Sequence, residues 1–597
     1  MCRREFLATT HPFQTAECLA VAVKLLTTGL FALSACATTS ADVRVPRLFG
    51  DSMVLQQQTS NAVWGFASPG EQVAVRASWG AEAITVADGN GDWRVMLQTP
   101  EHGTGHSLIV SGRNTIKIQD VAIGEVWLCA GQSNMGWKLG STFGGEEEAA
   151  AAKAPNLRIF VSQREHWHEP LKESRDRLAS WSPCNPTSAA ATSAVSYYFG
   201  RTLQRALDIP VGIIVQAYAG TPIEGWMPKE IQADDPRMNA AIEDMKKRSW
   251  RYPVKDALET FEKELSDYNG RIAAGETMKN QFRVLQPPFI TKPATLGHQY
   301  PSHIFNAMIH PVRPYGIKGV IWYQGERNSK NVPQALNYRK QLAKLIDYYR
   351  SSWHELSDGN VVETFPFYFT QLPSWHALQQ QSVEGLEAPW VVNREMMRLV
   401  TSDVVNTGMA VAIDTGDEIA LHPKNKKPIG IRHACLALKR TYGRDIVGSG
   451  PRFQKQTITG SRIILQFDSI GSGLMSAKPS PLNSFAIAGE DMHWHWADAM
   501  IDGNTVVVSS SQVPQPLSVR YAWAMNPSQR NLLYNAEGFP ASPFRTDDVP
   551  LFDADNDEVI EVAKPKKPDG YQSTDWQRPV ITMPSRKQAL HNTQLAP

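Results

Sequence analysis

The sequence predicts an α/β protein: a parallel sheet covered by helices on both faces, with β-rich modules before and after it. Three observations predict this. Between about residues 120 and 440, apolar runs of strand length alternate with amphipathic helical segments. Residues 42–115 and 446–547 instead carry short apolar segments separated by turn residues, with no helical period. At 597 residues the chain is also too long for one core, so two to four domains are expected.

Residues 1–36 read as an export leader rather than as fold. Arg3 and Arg4 make the start basic, Lys24 precedes the apolar run LLTTGLFALSA at 25–35, and Cys36 follows. The run is too short to span a bilayer as a helix. Its ending, Leu33-Ser34-Ala35-Cys36, resembles the bacterial lipobox, in which the cysteine is lipidated and becomes the first residue. ATTSAD at 37–42 would then be a tether. The alternative is a secreted protein cut near Ala37. Either way an exported protein is expected, periplasmic or held at the outer membrane, touching lipid only through Cys36.

Residues 42–115 place strand-like segments at 53–55, 62–65, 72–75, 93–97 and 107–110, punctuated by SPGE and DGNGD, and predict a β-sandwich. Residues 116–445 form the α/β domain. An apolar run at 125–130 leads into GQSNM at 131–135. Val195, Tyr198, Phe199, Leu203 and Ala206 repeat at helical spacing, and a strand at 213–218 follows. Further strands are expected at 318–323, 366–371 and 409–414, with a helix at 334–350. A charged insertion at 227–300, helical over about 237–272, interrupts this rhythm. Residues 446–547 predict a second β-sandwich, with strands at 462–467, 504–509 and 518–523, and 548–597 predict a tail of little periodicity.

Composition narrows the function classes. The formal net charge of +1 argues against nucleic acid or another polyanion as partner. Seventeen tryptophans offer stacking surfaces for sugars, although most are expected in the core. Past the leader only Cys36, Cys129, Cys184 and Cys435 remain, with no CxxC spacing, which fits neither a disulfide framework nor a zinc site. His493 and His495 in HWHW share one strand face but have no further ligands nearby in sequence, so they read as strand residues. No metal and no cofactor is expected.

Three strings at strand ends carry the chemistry: GQSNM at 131–135, WYQGERN at 322–328 and LHP at 421–423. In parallel sheets the site lies beyond the carboxyl ends of the strands. Ser133 offers a hydroxyl on a turn that Gly131 permits, and His422 offers a base of near-neutral pKa. Gly220, after the strand at 213–218, offers a bare loop N–H. Gln324 and Asn328 offer neutral amides, which can stabilise an oxyanion without a buried charge. These are the parts of an acyl-transfer site.

Taken together the strings resemble the sialate O-acetylesterase-like branch of the SGNH hydrolases. The resemblance spans about residues 43–547 and rests on GEVWLCAGQSNM, YAGTPIEGW, FNAMIHP through GVIWYQGERN, WVVNREMM and IDTGDEIALHPKNKKPIGIR, with SGP, VRYAWA and EGFPASPFRTD after them. It implies a flavodoxin-like parallel sheet. It implies Ser133 as nucleophile and His422 as general base. The N–H groups of Ser133 and Gly220, with the amide of Gln324 or Asn328, would form the oxyanion hole, Gln324 being favoured. Glu326 and Arg327 would shape the pocket or bind substrate hydroxyls.

Three positions depart from the family's pattern. Ala219 stands where relatives often have glycine, and Met397 where glutamine is usual. Ile419 stands three residues before the histidine, where an aspartate is common. Asp417 is the favoured replacement for the acid, with a backbone carbonyl or Glu418 as alternatives. The expected activity is removal of O-acetyl groups from a sugar: sialic acid by resemblance, acetylated xylan or another glycan as the alternative. A non-catalytic carbohydrate-binding protein is the competing class. The common lipase fold is disfavoured because GxSxG is absent.

Overall fold

The computed structural model describes residues 42–551 except 234, 237–238, 241–253, 275–296, 384–387, 477, 479–480 and 528–530. The expected leader with Cys36, the tail beyond 551 and most of the 227–300 insertion lie outside the described residues. Within the insertion, Val254–Ala273 is a helix.

The central sheet is built from strands that are mostly buried where they pair with one another. These are β1 (Thr115–Gly131), β2 (Ala154–Val161), β3 (Trp181–Cys184), β4 (Val211–Ala217), β5 (Gly319–Tyr323), β6 (Phe367–Thr370) and β7 (Thr407–Ala410). Their order is β7-β6-β5-β1-β4-β2-β3, parallel throughout except for β3, which pairs antiparallel at the edge. Side chains alternate between the two faces, as strand geometry requires. Trp127 and Cys129 share one core with Phe199 and Leu203 of helix α1 (Ala194–Leu207) and with Ile429 and Leu436 of α4 (Lys427–Arg440). Val126, Leu128 and Ala130 share another with α2 (Val332–Leu356) and α3 (Pro389–Asp403). Coverage on both faces explains why these strands read as continuous apolar runs.

Helix α1 confirms the apolar repeat except at Ala206, which is exposed near its end. Ser193 caps its start by accepting the Ser196 N–H at 3.1 Å. The strand expected at 409–414 lies earlier. β7 stops at Ala410 because Arg432, on α4, takes the Val411 carbonyl at 2.6 Å and both oxygens of Asp414 at 2.7 Å. That buried bidentate pair turns the chain away from the sheet.

Before the central sheet, Ser60–Phe66 pairs with Asp92–Gln98, and Gln72–Ala77 lies between Glu82–Val86 and Gly103–Ser111. Val73, Val95 and Val110 share their core. The boundary expected at 115/116 falls inside this structure. The first half of β1 pairs with Gly103–Ser111 and its second half with β4 and β5, so one 17-residue strand belongs to both sheets. After α4, two four-stranded antiparallel sheets share a core around Ile463, Phe485, Val508 and Tyr521.

WVVNREMM lies on α3, and its arginine is structural. Arg394, 1% exposed, donates to the carbonyls of Leu372 and Pro373 beyond β6 and to those of Ala524 and Met525 in the C-terminal β region. A guanidinium presents enough donors for several carbonyls at once, so one buried cation ties the central sheet to the region after it. Met397, also fully buried, packs beneath Gly325.

Candidate active site

Four loops meet beyond the carboxyl ends of β1, β4, β5 and β7. β1 ends at Gly131, whose φ of 148° lies where side chains are strained and where an added Cβ would sit 2.1 Å from the Tyr323 carbonyl oxygen. Only glycine lets the ends of β1 and β5 approach this closely. The Gln132 N–H donates to Tyr323 O at 3.0 Å, and the Tyr218 N–H, beyond β4, donates to Gly131 O at 3.0 Å. Ser133 is thereby placed at the junction of three strand ends.

Ser133 Oγ lies 2.8 Å from His422 Nε2. Both residues are half-buried, open to an incoming molecule yet partly shielded from water. The imidazole also stacks on Trp137, with ring centroids 5.0 Å apart and planes 19° from parallel. The structure therefore brings together the two residues named from the sequence, and adds Trp137 as a wall that fixes the ring plane.

Asp417 is 1% exposed, whereas Glu418 is exposed. Asp417 Oδ1 accepts the N–H groups of Ile419 at 2.9 Å and Ala420 at 2.7 Å, and its own N–H donates to Ser374 O at 3.1 Å. This turn folds the segment between Asp417 and His422 back on itself. Gly220 adopts a left-handed conformation, φ 69°, in the loop after β4, and its carbonyl accepts from Gln299 Nε2 at 3.1 Å. Among the described residues no acceptor takes the N–H of Ser133 or of Gly220.

Gln324 and Asn328, expected as oxyanion donors, are bonded to neighbouring groups of the protein. Gln324 Nε2 donates to Asn328 Oδ1 at 2.8 Å and Thr221 O at 3.1 Å, and lies 3.3 Å from Gln132 Oε1. Its Oε1 accepts from the Tyr338 hydroxyl at 2.9 Å. Asn328 Nδ2 donates to Glu224 Oε2 at 2.8 Å, while its Oδ1 also accepts the Ile223 N–H at 2.8 Å. Both side chains are buried, and their donors are committed to acceptors inside the protein. They brace the loop after β4 against the loop after β5.

Glu326 is likewise turned inward. It is 6% exposed, its Oε1 accepts from Asn134 Nδ2 at 2.5 Å, and burial raises its pKa. Of the two roles expected for it, shaping the pocket or binding substrate hydroxyls, this internal bond fits the first. Arg327 alone of the pair stays half-buried at the rim, donating to Gln299 Oε1 at 2.8 Å. Asn134 and Lys426, both wholly buried, were not singled out from the sequence. Lys426 Nζ donates to Asn134 Oδ1 at 2.5 Å. Burial pulls its pKa down to about 7 against the opposing charge of Glu326. The only sequence signal was its place four residues after His422, masked by the KNKK run.

A hydroxyl bonded to an imidazole, beside loop N–H groups, can perform nucleophilic acyl transfer. Among the described residues no group of three His, Cys, Asp or Glu is arranged to hold a metal ion.

Comparison with known proteins agrees with this chemistry. A family described as "Carbohydrate esterase, sialic acid-specific acetylesterase" matches residues 123–254 and 290–423, which include Ser133 and His422. The mouse sialate O-acetylesterase is 27% identical over 526 residues, covering 82% of this chain and 92% of its own length. The human sialate O-acetylesterase is 26% identical over 540 residues, covering 84% and 92%. Among solved structures, a carbohydrate acetylesterase from Xanthomonas citri is 31% identical, covers 85% of this chain and all of its own, and superposes with a TM-score of 0.69.

If Gln324 is an internal brace, Gln324→Leu removes three hydrogen bonds together: it strips the Thr221 carbonyl of its donor, leaves the Asn328 amide oxygen with the Ile223 N–H alone, and leaves the Tyr338 hydroxyl with the backbone carbonyl of residue 324 and the Trp322 indole. The expected cost is about 3 kcal/mol or more, read as a fall in melting temperature. An unchanged melting temperature would show that the amide is instead presented to the site.

Proposed function

The chain belongs to the sialic acid-specific acetylesterase family of carbohydrate esterases, and on that footing we propose that it hydrolyses O-acetyl esters on sugars with Ser133 as nucleophile and His422 as general base. The observation that carries this reading is the 2.8 Å contact between Ser133 Oγ and His422 Nε2.

In this reading His422 Nε2 takes the proton of Ser133 as Oγ attacks the acetyl carbonyl. The oxyanion of the tetrahedral intermediate is held by the N–H groups of Ser133 and Gly220. The C–O bond to the sugar then breaks, His422 returns the proton to the departing sugar hydroxyl, and an acetyl-serine remains. A water molecule, deprotonated by His422, then attacks the acetyl carbon, the bond from that carbon to Ser133 Oγ breaks, His422 returns the proton to Oγ, and acetate leaves. Asp417 orients the imidazole. Its burial and its anchored turn support it over the exposed Glu418. Arg327, half-buried at the rim, is the charged side chain best placed to meet the sugar.

The parallel sheet is read as the flavodoxin-like core of the SGNH hydrolases. With β2 and β3 set aside as an edge addition, β4-β1-β5-β6-β7 follows the order 2-1-3-4-5, which supports that reading. O-acetylated sialic acid is the favoured substrate and acetylated xylan the alternative, distinguished by acetate release from the two. We further propose export with a lipid on Cys36, which lies outside the described residues. Among the described residues no helix is long and apolar enough to cross a membrane.

Three outcomes are expected. Ser133→Ala loses about three orders of magnitude or more in turnover of an aryl acetate at an unchanged melting temperature; more than about a tenth of wild-type activity would remove it as nucleophile. Asp417→Asn lowers kcat about 100-fold or more while Glu418→Gln stays within about twofold; a loss of about tenfold or less at Asp417 would leave orientation to a backbone carbonyl. Cys36→Ala moves the protein from the membrane fraction to the soluble one; wild-type protein already wholly soluble would rule out the anchor.

A further inference from the structure

The residue after the nucleophile makes three contacts that the reaction above does not use. Asn134 is 0% exposed. Its Nδ2 donates to Glu326 Oε1 at 2.5 Å and to the Leu421 carbonyl at 3.2 Å, and its Oδ1 accepts from Lys426 Nζ at 2.5 Å. Asn134 adjoins Ser133, and Leu421 adjoins His422. One amide thus bonds to both segments that carry the reacting pair. Lys426 is also 0% exposed, an environment lysine rarely occupies without a partner, and its ammonium lies 5.5 Å from the Tyr323 ring centroid.

We propose that Lys426 is a positioning residue for the esterase reaction: as an ammonium it holds Asn134, and through Asn134 it fixes Ser133 relative to His422. The inference rests on the Ser133–His422 reading. An amide clamped between a cation on its oxygen and a carboxylate on its nitrogen has one favoured orientation, because both bonds are charge-assisted. Turning the amide over would set nitrogen against ammonium and oxygen against carboxylate. The clamp is therefore directional only while Lys426 carries its charge.

The groups around Lys426 set when that holds. Glu326, from the loop after β5, is the carboxylate that favours the cation, and burial opposes it, leaving the pKa at about 7. The Tyr323 hydroxyl, on β5, is kept neutral by burial. Lys424 in its own loop and Lys427 at the start of α4 are exposed, Lys427 lying 3.6 Å from Glu148, and His422 lies four residues earlier. The ammonium is present below that pKa and is lost as pH rises through it.

The test measures kcat and KM for an aryl acetate from about pH 5 to 9 in the wild type, Lys426→Met, Glu326→Gln and the double variant, with Ser133→Ala as reference. Expected for the wild type is an alkaline fall in kcat. Lys426→Met lowers kcat about 30-fold with KM within about threefold and no longer shows that fall. Glu326→Gln keeps an acceptor for Asn134 but removes the charge favouring the ammonium, so the fall moves to lower pH by about one unit. The double variant leaves no uncompensated buried charge, keeps the fold, and reproduces the kinetics of Lys426→Met. Wild-type kcat in Lys426→Met or in the double variant, a loss in KM alone, or an alkaline fall unmoved by either single change would overturn the inference. An inactive Ser133→Ala beside a fully active Lys426→Met overturns only the role of Lys426; an active Ser133→Ala overturns the nucleophile and this role with it.

Discussion

The close approach of Gly131 to Tyr323 is the constraint on which the site depends. Two parallel strands end side by side with no room for a Cβ between them. The chain must then leave β1 through a backbone conformation that favours glycine. The hydrogen bonds from Gln132 to Tyr323 and from Tyr218 to Gly131 bring the loops after β1, β4 and β5 together. Ser133, Gly220 and the QGER segment are neighbours because the strands beneath them are, and the strands hold their register because both faces of the sheet are packed.

Around that junction polar residues bond to one another. Gln324, Asn328, Glu224 and Gln341 form a chain of hydrogen bonds in which Gln324 and Asn328 each both donate and accept. Such a network is stable only when its members are paired, and when paired it specifies a single arrangement. Arg394 does the same at longer range by bonding carbonyls from two parts of the chain. Asp414 and Arg432 do it at the end of β7. The loops bearing Ser133 and His422 are held by buried polar contacts to which packing alone would give no direction.

The parallel sheet, its helices and the Ser133–His422 pair were legible because each leaves a strong local trace: continuous apolar runs, a 3.6-residue period, and polar strings where strands end. The inward turn of Gln324, Asn328 and Glu326 left none. An amide at a strand end looks the same in sequence whether it faces solvent or a neighbouring loop, and only the acceptors brought near by the fold decide. Lys426 was hidden for a similar reason, since a lysine run usually marks a solvated face while one member here is wholly buried. At 115/116 composition changes while the strand, which starts at Thr115, continues into the central sheet. The early end of β7 came from Arg432, distant in sequence, capturing a carbonyl that would otherwise extend the strand.

On the proposal that Asp417 orients His422, the turn at 417–420 bears on the missing aspartate three residues before the histidine. A carboxylate five residues away would normally be separated from the imidazole by an extended loop. Asp417 accepts the N–H groups of Ile419 and Ala420, which coils the chain around its own side chain. Its N–H is in turn tied to Ser374, and Ser374 Oγ bonds the Ile413 carbonyl at 2.5 Å, so the turn is anchored to the segments that follow β6 and β7. Ile419 can then replace an acid without loss of order, because its backbone N–H takes part in the anchoring. If Asp417 is the acid, its position in the sequence matters less than the order of the turn that carries it, and here the carboxylate fixes its own turn.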